Sequence, residues 1–338
     1  MIKVSAPGKV HLIGEHAVVY GEPAILAAVG MRTTAEAEKS DKVIVKSKSG
    51  KYNQQWSVKD TKVIAKKAIE LWESGSQKGD FSEVFSMMKQ NFKQISIGTV
   101  LNHFEIDSGV SIVLDSDIPE GSGLGSSASV ALVIAKSVAD IYDKRVSLED
   151  INSVAYNIEK LNHGKPSGGD NSACCYGGLL WFVKGNPNTI KSLKDEIPYK
   201  LENFVLVYTK KPEKTTGELV QQVMKLDEKF RTYRIKALGR ATNEMRKALR
   251  KKDFKQVKEI INFTQKNLAE LGVSIPEIDK IAKNVRDIGG AAKLCGAGGG
   301  GMMLCYHEDK NKLVDTIKSL GYKPWETDLA VEGVRVDS

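Results

Sequence analysis

Polar and apolar residues alternate through residues 24–45, where Thr33, Thr34, Ala35, Ala37, Val43 and Val45 carry the pattern. A period of two marks half-buried strands and predicts a hairpin or meander here. Residues 5–23 open as a strand that breaks at glycine, and residues 46–60 are polar enough to read as loop. The period then changes. Val63, Ile64, Ala68, Ile69 and Trp72 recur at helical spacing, and residues 81–92 repeat it more weakly. An apolar run at 109–114 predicts a strand, and residues 126 to about 142 predict a helix. Ser147 to Asp150 reads as a capping signal before the stripe Ile151, Val154, Ala155, Ile158 and Leu161. Further strands are expected at 176–183 and 204–208, and helices at 213–251, 253–271, 275–288 and 313–320, with a closing strand at 333–336. The turn Gly185-Asn186-Pro187-Asn188 suggests a boundary between two domains, 1–186 and 187–338.

Between the strand at 109–114 and the helix at 126 lies the stretch around which the chain is organised. It contains Pro119, Glu120, Gly121, Ser122, Gly123, Leu124, Gly125, Ser126, Ser127, Ala128 and Ser129. Glycines permit tight turns and close approach to a ligand, and the serines favour a helix start. Unpaired N–H groups at the positive end of a helix attract phosphate. A plain Gly/Ser turn is the alternative. No Gly-Lys-Ser/Thr closes the loop as in a Walker A motif, and the glycines lack the dinucleotide spacing G-x-G-x-x-G.

Three other places offer chemistry. Lys9, Glu15 and His16 fall near a chain reversal, where a lysine can steady a developing oxyanion or a transferred phosphoryl group and the Glu-His pair can bind a polar substrate. Glu159 ends one helical stripe, and the glycine-rich loop 163–172 carries Asp170. Asp170 is the candidate base, and Glu159 the candidate ligand of a hard ion such as Mg²⁺, which takes one or two carboxylates plus substrate phosphates. Residues 293–304 form a third glycine-rich feature running into an apolar strand. For each charged residue a solvated surface position is the competing reading. Residues 24–105 carry no functional signal.

The composition alters this picture little. The 338 residues, 41% hydrophobic and 27% charged, suit a soluble protein of two domains. No apolar run approaches the roughly 18 residues of a membrane span, so a cytoplasmic protein with no membrane partner is expected. Cys174, Cys175, Cys295 and Cys305 fit neither a disulfide framework nor a zinc site and read as reduced and mostly buried. The net charge of +8 owes much to residues 246–255. Without interleaved aromatics this run reads as a solvated helix face and not a nucleic-acid patch, and a basic balance suits an enzyme of anions.

Taken together, Ala6-Pro7-Gly8-Lys9, residues 119–129, residues 163–171 and residues 293–301 resemble, in that order, the motifs of the GHMP small-molecule kinases. Gly14-Glu15-His16-Ala17-Val18-Val19-Tyr20-Gly21 makes the chain most similar to the mevalonate kinase branch. Gly169 and the Cys174-Cys175 pair depart from that branch's usual residues. The resemblance implies an α+β fold of two domains, the first like a domain of ribosomal protein S5 and the second ferredoxin-like, with the site between them. It implies ATP as co-substrate, Mg²⁺ as cofactor and mevalonate as acceptor, and it leaves a homodimer open. Lys9 and Asp170 would be catalytic, residues 121–127 and their neighbours Pro119, Ala128 and Ser129 would bind ATP, and Ser127 and Glu159 would hold the metal. Glu15, His16, Gly298 and Gly299 would contact the substrate. A kinase of phosphomevalonate or a sugar, and a non-catalytic sensor or RNA-binding relative, are the rival readings.

Overall fold

The computed structural model describes residues 1–119 and 121–337; Glu120, within the organising stretch, lies outside them. The first half contains β1 (Ile2–Ile13), a 3-10 turn (Ala17–Tyr20), β2 (Ala24–Ser40), β3 (Val43–Ser47) and β4 (Asn53–Trp56). Helices α1 (Val58–Lys78) and α2 (Ser82–His103), β5 (Gly109–Ser116), α3 (Ser126–Ile141), α4 (Leu148–His163) and α5 (Gly169–Tyr176) follow. Next come β6 (Leu179–Val183), β7 (Thr189–Ser192), β8 (Leu201–Tyr208), α6 (Thr216–Met224), α7 (Glu228–Arg250), α8 (Phe254–Glu270) and α9 (Pro276–Asp287). The chain closes with β9 (Ala291–Leu294), β10 (Met302–Tyr306), α10 (Lys310–Ser319), β11 (Pro324–Leu329) and β12 (Arg335–Val336).

The α+β class expected from the sequence is the one found. Strands run in the order β4-β3-β5-β2-β11-β8-β10-β9, with β1 and β6 also on β2. Within the second half, β8, β9, β10 and β11 lie in the order β11-β8-β10-β9 with antiparallel neighbours, the ferredoxin-like split arrangement. The apolar run in β8 explains its central place. Phe204 and Leu206 enter one core with Met245, Leu249 and Ile261, whereas Val205 and Val207 enter another with Ile278, Ile281 and Leu313. A separate core joins β5 and β3 to α1–α4.

The two halves of the sheet meet narrowly. Among the described residues β11 pairs with β2 only where Leu329 faces Val29, beside a 2.8 Å bond from the Gly30 N–H to Thr327 Oγ. At the same level β1 shifts register against β2 between Pro7 and Gly8.

Several elements differ from the sequence reading. β2 and β3 do not form a hairpin, because β5 inserts between them, antiparallel to β2 and parallel to β3. The stretch read as loop contains β4, which pairs with β3. The first two helices are longer than their apolar stripes, and α2 continues past a kink at Asn91. The single helix expected at 213–251 is two, since a turn intervenes and Asp227 caps a new start by accepting the Phe230 N–H. Residues 169–176 are helix, so Asp170 stands in a first turn and not in a loop. β11 has no counterpart in the sequence reading. The capping signal at Ser147 is realised as a reciprocal box with Asp150.

Candidate active site

Strand β1 and helix α3 are strapped together by short bonds. The Lys9 N–H donates to Leu124 O at 2.8 Å, and Ser129 Oγ donates to Ala6 O at 2.9 Å. Gly8 permits this approach, since a Cβ there would sit 2.8 Å from Leu124 O. Gly121, Gly123 and Gly125 all adopt positive φ, and Gly125 begins α3 with no side-chain cap. The first-turn N–H groups of α3 are thereby left for an anion.

Pro119, Gly121, Ser122, Gly123, Gly125, Ser126 and Ser127 line a cleft of roughly 1210 Å³ that Lys9, Asp170 and Gly298 also line. Leu124, Ala128 and Ser129 are buried behind that wall. Lys9 Nζ lies 3.2 Å from Asp170 Oδ2, with side chains 8% and 42% exposed respectively. The lysine is thus held in the protein while its carboxylate partner remains open to a substrate. At Gly169, beside it, a Cβ would meet Leu26 Cδ1 at 2.8 Å, so Leu26 fills the space a bulkier residue would take.

Glu159 lies behind Ser127 and is 3% exposed. Its Oε1 has no partner among the described residues, and Oε2 is 3.5 Å from His163 Nε2. Burial and then Asp170 raise its pKa to about 7, against relief from the Ser127 hydroxyl and Lys9. A buried carboxylate short of positive charge, next to a hydroxyl, fits the protein's share of a Mg²⁺ site whose other ligands are phosphates. No group of three or more His, Cys, Asp or Glu among the described residues could hold a metal unaided.

Glu15 and His16 stand off the cleft wall and grip the third glycine-rich loop. Lys293 Nζ donates to Glu15, to Leu294 O at 2.9 Å and to His11 O at 3.2 Å, so all three ammonium protons are engaged. Both side chains of this pair are fully buried. Burial opposes the Lys293 charge, but Glu15 outweighs it and the ammonium pKa is raised. His16 Nε2 lies 2.8 Å from Ala297 O and donates to it, while burial lowers the imidazole pKa. Its backbone is strained, at φ 57° and ψ −44°, in a γ-turn closed by the 2.6 Å bond from Ala17 N–H to Glu15 O.

The loop at 295–301 packs just as closely on its other side. Gly299 N–H is spent on Val273 O at 2.8 Å and Gly301 N–H on Lys210 O at 2.8 Å. Gly298 has φ +87°, and a Cβ there would overlap Val273 O. Gly298 faces the cleft; Gly299 is not among its lining residues.

The sequence reading missed several contributors to this region. Ser47, Tyr52, Met88 and Phe92 line the cleft from a stretch without recognisable motif. Lys293 figured only as the first residue of the third glycine-rich feature, with no strand expected there. His11, two residues after Lys9 and so on the same face of β1, also lines the cleft.

A helix start open to phosphate, facing a lysine–aspartate pair across one cleft, is the apparatus of a small-molecule kinase. The family of GHMP kinases N terminal domains matches residues 87–178 and that of GHMP kinases C terminal domains residues 245–323, and the chain belongs to the GHMP kinase family. A mevalonate kinase of Pyrococcus abyssi is 30% identical over 347 residues, covering 100% of this chain and 98% of its own. One from Thermococcus sibiricus is 30% identical over 353 residues, with coverage of 99% and 98%. The crystal structure of the Methanococcus jannaschii mevalonate kinase superposes with a TM-score of 0.81 at 28% identity, over 99% of this chain and 98% of that one.

Proposed function

We infer that the protein transfers the γ-phosphoryl group of ATP to the primary hydroxyl of mevalonate, giving 5-phosphomevalonate and ADP. The observation that carries this reading is the Lys9–Asp170 pair, at 3.2 Å, in one cleft with the uncapped start of α3. The amides of residues 121–127 cradle the nucleotide phosphates. Asp170 orients the acceptor hydroxyl and receives its proton as the oxygen bonds to the γ phosphorus and the bond to the bridging β,γ oxygen breaks. Lys9 offsets charge on the transferring group and holds the Asp170 carboxyl group in place. Such a reaction asks the protein for position and electrostatics above all.

Ser127 and Glu159 would hold Mg²⁺, which when bound would neutralise phosphate oxygens. Glu15 and His16 act on the substrate end through the loop they clamp, and Gly298 faces the acceptor. Gly299 supports it from behind. Residues 1–186 supply the phosphate loop and Asp170, and residues 187–338 the glycine loop that closes the cleft. A coupled ADP-release assay with Mg²⁺ and ATP across mevalonate, phosphomevalonate, galactose and homoserine tests this. Turnover is expected on mevalonate alone, and a preference for another acceptor would overturn the substrate assignment.

A further inference from the structure

We propose that His11 is a specificity-determining residue that donates a hydrogen bond from Nε2 to the carboxylate of the acceptor substrate. The inference rests on the mevalonate reading above. Its starting point is an imidazole that the fold leaves half satisfied. The ring lines the cleft, yet Nδ1 is buried and has no partner among the described residues. Burying an N–H without an acceptor costs more than burying a lone pair, so the proton resides on Nε2, toward the cleft. The ring is also kept uncharged. Burial and then Lys9 depress its pKa, with Lys293 and His16 adding to the effect against Asp170, and it falls to about 3. Over the whole neutral range His11 is therefore a fixed neutral donor, not a titrating base.

Its position selects what it reads. Lys9, which holds Asp170, and His11 are two residues apart on β1, a step of about 7 Å along an extended strand on one face. Mevalonate carries its carboxylate at the opposite end of its carbon chain from the reacting hydroxyl, so with the hydroxyl at Asp170 the carboxylate can reach His11 in the same cleft. Glu15 and His16 are already committed to Lys293 and Ala297, whereas His11, beside them on the cleft, keeps an unspent donor. Cys295, Gly296 and Ala297 line the same cleft and bring no charge of their own.

The test compares mevalonate with 3-methylbutane-1,3-diol, which keeps both hydroxyls and lacks the carboxylate, using turnover or, where the diol is not phosphorylated, its competitive inhibition constant. His11→Leu is expected to raise KM for mevalonate about 10- to 100-fold, the worth of a hydrogen bond to a charged group, and to leave the diol within about 3-fold. His11→Asn, which retains a donor, is expected to recover most of the loss, and KM for ATP to stay unchanged in both variants. Equal losses on both ligands would make His11 merely structural, and no loss on mevalonate would remove it from the site; either result overturns the proposal. Wild-type protein that ignores mevalonate but phosphorylates another acceptor would instead overturn the underlying reading and this inference with it.

Discussion

Removing Lys293 gives a sharp test of how the glycine-rich loop is held. In Lys293→Met the Glu15 carboxylate keeps its place, fully buried, but loses the counter-charge bonded to it, and its Oε2 already lacks a partner among the described residues. The carbonyls of His11 and Leu294 lose their donor at the same time. Breaking one side of a buried pair costs about 3–5 kcal/mol, which for a chain of this size is a fall in Tm of roughly 4–7 °C. The deficit must depend on pH. Burial raises the Glu15 pKa even beside Lys293, and without the ammonium it rises further. A carboxyl whose folded pKa exceeds its unfolded value favours the fold below the unfolded value and loses that advantage as pH climbs through the folded one. Thermal unfolding of the variant should therefore show a larger deficit at about pH 8 than at about pH 5.5, and adding Glu15→Gln should recover part of the loss at the higher pH. A deficit below about 1 kcal/mol, or one indifferent to pH, would refute an ionised pair at this position.

Other expectations follow from the same geometry. Asp170→Asn should fold normally and lose two or more orders of magnitude in turnover, about the worth of a base or positioner, as read by ADP release. Lys9→Met should lose a comparable factor, and unchanged turnover would detach it from the chemistry. Glu159→Gln should lower turnover while raising the Tm of the metal-free protein at about pH 8, by the equivalent of roughly 1–3 kcal/mol. The sign follows because a folded pKa of about 7 lies above the ordinary value of 4.5, so the wild-type fold is penalised as pH rises through 7 and the neutral variant is not. Gly298→Ala should lower both stability and turnover, because its φ of +87° and the Val273 carbonyl exclude a Cβ; full activity would mean that the loop shifts freely.

Where local rules govern, the sequence was a good guide. The helix starting at Ser126, the capping box at Ser147 and the doubly buried β8 all follow from spacing and capping chemistry close to hand. Strand partners were not legible, because pairing is decided over distance. Nothing in residues 24–45 reveals that β5 will insert between β2 and β3. Site residues divide the same way. Lys9, Ser127, Glu159 and Asp170 sit in or beside recognisable stretches and the fold gathers them around one cleft. Glu15 and His16 also belong to a recognisable stretch, but a turn only 4 residues long packs them against Lys293 and Ala297, nearly 300 residues later. Charge and polarity suggested contact with a ligand; the fold spends both on holding another loop.

The narrow join between the two parts of the sheet has a mechanical meaning. β2 runs 17 residues and belongs to both parts, so they cannot slide past one another without tearing its ladder. The ladder at Val29 and Gly30 is one strand pair and one threonine bond, but side chains cross it in number: Val10, Leu12 and Ile25 share a core with Phe204, Met245 and Leu304, and Lys293 bonds Glu15. Backbone-poor and side-chain-rich, the join leaves packing and a buried ion pair to set how the two parts sit, and the strand that carries it lies directly beside the one that carries Lys9.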